Sequence, residues 1–328
     1  MLNSFILFLK GIAMGSANVI PGVSGGTIAL ITNIYEQLIN SLKSFDKTAL
    51  KLALKRDFKS LSKHLNLDFL LPVFSGIIIS IISLAKLFEF LLSKHPEPTW
   101  AFFFGLVLAS VYYVAKKVNS WKLSSIVAFA IGLLFAFSLS VIEGSTIENT
   151  NLFYIFVCGM IGICGMILPG LSGSYILMLM GNYQLLMVKS ISNLFDFLNQ
   201  CLIGNFNIIF ENTEMRNYLI YFIVFVIGSI VGLLLFSKII SFIFKKYYNV
   251  TIALMSGFVL GSLSTIWPWK KAILDTAIKD RHGDFIIVGY QRYVPQTWTD
   301  HEYIVLTSMF VGLISIIIIE QIAKRFNK

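Results

Sequence analysis

NVIPGVSGGTIAL, residues 18–30, interrupts an apolar run with a proline, three glycines and a serine. Without the interruption, such a run would cross a bilayer as one helix. Proline removes a backbone donor, and glycine permits turns that other residues resist. Lipid satisfies no freed amide or carbonyl, so such a break survives only inside protein or beside a watery cavity. The stretch therefore predicts a broken helix whose break is enclosed by the rest of the chain.

The signature recurs in ILPGLSGSYILML, residues 167–179. Pro21-Gly22-Val23-Ser24-Gly25 answers Pro169-Gly170-Leu171-Ser172-Gly173 at an offset of 148. Tyr35 meets Tyr183 and Gly11 meets Gly159 at the same offset. Farther along, Gly76 meets Gly228, Lys86 meets Lys238, Gly105 meets Gly257 and Ser110 meets Ser262 at an offset of 152. This register reads as an internal repeat covering most of the chain, apart from an insert at 267–301.

Composition sets the class. The chain has 328 residues, 56% hydrophobic and 13% charged, with mean hydropathy +0.79. A soluble domain carries about a quarter charged residues. Long apolar runs predict an all-α polytopic membrane protein, whereas a transmembrane barrel would show short alternating strands. The N-terminal stretch lacks a basic leader and a small-residue cleavage site, so it reads as mature protein.

Two units follow. Residues 1–145 form a first repeat, with a re-entrant hairpin at 4–42, a basic loop at 43–68 and three helices within 69–142. Residues 150–328 form a second. Each repeat crosses the membrane an odd number of times, whether all five segments span or only three. The second therefore enters inverted, as in many secondary transporters. One set of loops and the C-terminal tail carry 15 Lys and Arg, the opposite loops 7. That bias predicts both termini in the cytoplasm and accounts for the net charge of +9 without nucleic acid. The 43–68 loop reads either as an amphipathic segment on the anionic leaflet or as a solvated basic helix. Cys158, Cys164 and Cys201 have no metal spacing and read as packing residues. The four histidines form no ligand cluster, so no metal or cofactor is expected. Oligomeric state is not legible.

The breaks carry the chemistry. Each opens a helix whose first amides are unpaired and whose dipole end is positive, which suits phosphate or carboxylate. The candidate anion-binding residues are Gly22, Ser24, Gly25, Gly26 and Thr27 in the first break. Gly170, Ser172, Gly173, Ser174 and Tyr175 are their counterparts in the second. Asn18 and Asn182 are further amide donors. A lone PG turn more often only eases helix packing; its duplication at matching positions favours a site. Lys86 and Lys238 occupy equivalent membrane positions and either face phosphate or snorkel to the interface. Glu89 either pairs with Lys86 or joins Glu36 as a candidate for coupling or gating. The insert, with its tryptophans, reads as an interfacial cap.

MGSANVIPGVSGGTIALITNIYE and GICGMILPGLSGSYILMLMGNY together resemble the bacterial polyprenyl-phosphate transporter family, a membrane domain long without assigned function. The resemblance spans essentially the whole chain. It implies a translocase of the cytoplasmic membrane that returns undecaprenyl phosphate to the inner leaflet for envelope synthesis. Its partners would be that lipid and the bilayer. Two rivals remain. An undecaprenyl-pyrophosphate phosphatase also uses an inverted repeat, but its motif carries arginine beside serine, and here Gly25 and Gly173 take that place. An ion-coupled transporter of a small soluble anion would present the same two-break site.

Overall fold

The computed structural model describes residues 2–19, 24–142, 148–204, 208, 212–279 and 285–326. About four-fifths of the chain is helical. In order, the helices are α1 (Leu2–Val19), α2 (Gly25–Ile31), α3 (Tyr35–Lys43), α4 (Lys47–Leu54), α5 (Phe58–Leu65), α6 (Leu67–Lys94), α7 (Pro96–Ala115) and α8 (Leu123–Val141). There follow α9 (Leu152–Ile167), α10 (Gly173–Leu179), a π-helical turn (Gln184–Lys189), α11 (Ser190–Leu202), α12 (Thr213–Lys246) and α13 (Tyr248–Ser262). A hairpin of β1 (Lys270–Lys279) and β2 (Phe285–Arg292) precedes α14 (Asp300–Phe326).

Among the described residues, α6, α7, α8, α12 and α14 are long and apolar enough to cross a membrane. Their outward faces carry exposed apolar side chains such as Ile82, Leu134, Ile223 and Phe310, as lipid contact requires. The chain is a membrane protein. The basic loop folds as α4 and α5, held together by Asp46, which caps α4 and bonds His64 at 3.1 Å. Leu54 and Phe58 project outward there, 75% and 68% exposed, among lysines.

Glycine sets the helix pairing. A Cβ on Gly11 would strike the Val73 carbonyl, and one on Gly76 would strike that of Phe8, so α1 and α6 touch backbone to backbone. Gly159 against Phe225 and Gly228 against Phe156 repeat this contact between α9 and α12. Gly105 meets Met309 and Gly312 meets Phe102 between α7 and α14. Gly257 meets Phe129 and Gly132 meets Leu254 between α8 and α13. Such close approach is how apolar helices gain packing where no hydrophobic force drives them together. The partners obey the sequence offsets: Phe8 answers Phe156, Val73 answers Phe225, and Phe102 answers Leu254.

The last two pairs run parallel. Contacts advance together from Glu97 with His301 to Gly105 with Met309. They also advance from Phe129 with Gly257 to Ser140 with Ser264. The starts of α7 and α14, the ends of α8 and α13 and the β-hairpin therefore share one end of the molecule. The 116–122 and 245–249 turns share the other, joined by Asn249, which accepts from the Asn119 amide at 3.0 Å.

α2 and α10 are the short helices that follow the two breaks. Both end in the same left-handed cap. Asn33 (φ 61°) and Gly181 (φ 75°) reverse the chain. The next amides, on Ile34 and Asn182, reach back to Ala29 and Leu177 at 2.9 and 3.1 Å. This equivalence, Asn33 with Gly181, again falls at the first offset.

Gly105→Ala and Gly257→Ala are each expected to destabilise the detergent-purified protein by about 1–3 kcal/mol through forced helix separation. Thermal melting checks this; wild-type melting temperatures in both variants would contradict the close contacts.

Candidate functional site

The two breaks meet inside the protein. Ser24, itself extended, is the N-cap of α2, its Oγ accepting from the Gly26 amide at 3.2 Å. The same Oγ donates to the Leu168 carbonyl at 3.1 Å. Thr27 Oγ1 accepts from the Gly170 amide at 3.1 Å. Both hydroxyl residues are buried, each 2% exposed. Asn18, near the end of α1, takes the Gly25 amide at 2.7 Å. A side chain on Gly26 would strike the Ile167 carbonyl. Among the described residues, the Ser24 and Thr27 hydroxyls thus hold the second break, satisfying its Leu168 carbonyl and Gly170 amide.

The second break is arranged differently. Gly170 sits at φ 81° with its α-carbon against the Phe258–Val259 peptide of α13. Only glycine fits that backbone and that contact. Ser172 precedes α10 without capping it; its Oγ pairs with Ser174 Oγ at 2.9 Å. Tyr175 donates to the Leu139 carbonyl at 3.1 Å. Ser172 and Tyr175 line a narrow cleft with Ala136, Gly170, Ser262 and Thr265. Its free volume, about 10 Å³, suits a single water. A phosphate head group needs it to open.

The hairpin lies beside this cleft and bonds Thr265, one of its lining residues. α13 has 15 residues, or about 22 Å of rise, short of a bilayer core of about 30 Å. Its final carbonyls are taken up by the amides of the turn that follows, at Leu263, Ser264 and Thr265, so the carbonyls of that turn need partners of their own. Arg292 supplies one, its Nε donating to the Ser264 carbonyl at 2.6 Å while Nη2 donates to the Ser140 carbonyl at the end of α8. Lys270 Nζ donates to the Thr265 carbonyl at 2.7 Å and lies 3.4 Å from the Trp100 ring centre and 4.5 Å from that of Tyr290. Burial first, then the adjacent Arg292 charge, pull the Lys270 pKa down to about 7. The base of the hairpin is latched by Tyr293, which donates to Glu97 at 2.8 Å, and by His301, which bonds the same carboxylate.

Ser24, Gly26 and Thr27 are thus brought against Leu168, Ile167 and Gly170 in turn, with Asn18 holding Gly25 behind them, while Ser172, Gly173, Ser174 and Tyr175 begin α10 beside the cleft. Gly22 lies outside the described residues. Lys238 is exposed on α12, and Glu36 is exposed in the first turn of α3, where a carboxylate complements the helix dipole. Neither joins the breaks. The backbones of Lys86 and Glu89 lie in α6, and their side chains are outside the described residues. Asn182 is fully buried, but its amide clips the connector, bonding the Asn149 amide and carbonyl at 2.8 Å each.

Lys270 and Arg292 are the cations that sequence reasoning passed over. They stand in the insert, which has no counterpart in the first repeat, so the offsets do not point to them. The available signal was their setting among aromatics, WPWKK and YQRY.

Comparison with known proteins gives a consistent result. The family model described as "VCA0040-like: Undecaprenyl phosphate translocase-like" matches residues 14–286. The chain is 38% identical over 272 residues to a polyprenyl-phosphate transporter of Vibrio cholerae serotype O1, covering 83% of this chain and 80% of that one. It is 32% identical over 277 residues to a polyprenyl-phosphate transporter of Staphylococcus aureus, covering 80% and 86% respectively. No solved structure gives a significant match. With a family model spanning most of its length and relatives aligned over four-fifths of it, the chain belongs to the VCA0040-like, undecaprenyl phosphate translocase-like family.

Proposed function

We propose that the protein is a transporter, not an enzyme, which returns undecaprenyl phosphate from the outer to the inner leaflet of the bacterial cytoplasmic membrane. The observation that carries this reading is the meeting of two duplicated, serine-bearing breaks inside an apolar helical protein of this family. The names of its relatives supply the substrate class. A bare phosphate does not cross hydrocarbon, because its lost hydration is replaced by nothing there. Hydroxyls and amides at the breaks replace that water, while the polyprenyl tail stays in lipid.

The two repeats, 1–145 and 150–328, are related by inversion in this reading, each a re-entrant hairpin followed by three spanning helices. The parallel pairing of α7 with α14 and of α8 with α13 is what such a relation produces. The loop-charge bias supports cytoplasmic termini, with the β-hairpin outside.

The asymmetry of the breaks supports alternating access. Ser24 and Thr27 are engaged with the second break, while Ser172, Ser174 and Tyr175 adjoin the cleft below the hairpin. This arrangement is an outward-side occluded state. Rocking of one repeat would part the breaks, free Ser24 and Thr27, and expose the head group to the other leaflet. Asn18 and Asn182 act as latches in this scheme, and Glu36 and Glu89 are the carboxylates to test for coupling. Lys86 and Lys238 are assigned to the path only if their removal slows transport.

In liposomes with leaflet-resolved detection of undecaprenyl phosphate, Ser172→Ala combined with Ser174→Ala is expected to slow transport at least tenfold, and Ser24→Ala likewise. Wild-type rates in both would remove the breaks from the path; no movement by the wild type would refute transport. Release of inorganic phosphate from undecaprenyl pyrophosphate would instead favour the phosphatase reading.

Orientation has its own test. In a chain without the three native cysteines, Thr299→Cys is expected to react with an impermeant thiol reagent on intact cells, and Ser60→Cys only after lysis. The reverse pattern would invert the assignment.

A further inference from the structure

We propose that Lys270 and Arg292 form a receiving seat for a phosphate monoester head group at the hairpin end of α13, where phosphate oxygens take the donors that the Ser140, Ser264 and Thr265 carbonyls leave unused. The inference rests on the transport reading and adds to it the residues that first take the substrate.

The two cations stand directly opposite each other in the hairpin register. Like charges at opposed positions repel, so a ribbon that only caps helix ends would do better with one of them neutral. Among the described residues neither has a carboxylate partner. Two other basic side chains at this end of the molecule do: Lys189 pairs with Glu148 at 2.7 Å, and His301 pairs with Glu97. Among the described residues the pair thus has no anion of its own, and at neutral pH Arg292 carries its full charge and Lys270 part of one, a share that a bound anion would raise.

Donors remain to be used. An ammonium has three N–H groups and a guanidinium five. Lys270 gives one to Thr265, and Arg292 gives one each to Ser264 and Ser140. The remaining donors suit a tetrahedral anion, to which arginine offers a fork and lysine a point charge. Trp100 and Tyr290 hold the ammonium in place between their rings.

The seat lies on the path to the second break. Gly170 packs at Val259, and Arg292 bonds Ser264 five residues farther along the same segment. At helical rise that is about 7 Å. Tyr175 and Arg292 bond the adjacent carbonyls of Leu139 and Ser140, so opening the cleft and releasing the arginine involve the same turn of α8. A head group would be received by the cations and passed inward to Ser172 and Ser174.

The test uses the full-length protein in nanodiscs, with a short-chain polyprenyl monophosphate and inorganic phosphate as separate probes and liposome transport measured alongside. Lys270→Gln and Arg292→Gln are each expected to weaken binding of the monophosphate at least tenfold, with Arg292→Lys intermediate. In the wild type, the bound probe is expected to protect Lys270 from amine acylation severalfold, read by peptide mass spectrometry. That readout does not depend on the variants folding. Unchanged affinity in folded glutamine variants, or no protection of Lys270, would overturn the seat even where the wild type transports lipid. A wild type that binds both probes and protects Lys270 but moves no lipid would keep the seat and overturn transport. Preference for the lipid-linked probe over inorganic phosphate identifies a lipid head group as the ligand; equal binding identifies a soluble anion.

Discussion

The structure depends on one constraint: a backbone broken inside a membrane must find its hydrogen bonds within the protein. The second break finds two of them in side chains of the first. Ser24 supplies a donor to Leu168, and Thr27 an acceptor to Gly170. Gly26 lets the segments approach to backbone contact at the Ile167 carbonyl, and Gly170 lets the second pack on α13. The four glycine-lined helix pairs around them provide a rigid frame for that meeting, because an unpaired buried amide or carbonyl costs about 1–3 kcal/mol.

The same logic governs the ends of the frame. The last turn of α8 and the turn after α13 leave carbonyls that need donors. The hairpin delivers two cations there, Lys270 held between aromatic rings and Arg292 bridging the two segments. Satisfying these carbonyls and presenting positive charge are thus one arrangement. The acceptors it uses, Ser140, Ser264 and Thr265, belong to the helix pair against which the second break packs and to the turn that ends it. Structure and proposed path share their polar groups, and a change at one reaches the other.

Much of this was legible in the sequence. The paired motifs placed both breaks, and the offsets named the glycines that turn out to line corresponding helix contacts. Gly76 and Gly228 are an example, each against a phenylalanine carbonyl. What the sequence hid follows from physics that pattern does not carry. A helix apolar on every side gives no hint of which face is inward, so the exposure of Lys238 could not be read. Duplicated motifs suggest equal roles, whereas this conformation engages Ser24 and Thr27 of one break and leaves the other beside a cleft. Asn182 looked like a site donor because it follows the motif, yet it serves the connector through Asn149. Lys270 and Arg292 lie in an unduplicated insert, where the repeat offers no guide.

The central claim is that the breaks must part for lipid to cross. It is tested most directly by tethering them: Ser24→Cys and Leu168→Cys joined by a short cleavable thiol cross-linker, in a chain lacking native cysteines. Transport of undecaprenyl phosphate in liposomes should stop on cross-linking and return when the linker is cleaved. Undiminished transport by the fully cross-linked protein would contradict the account.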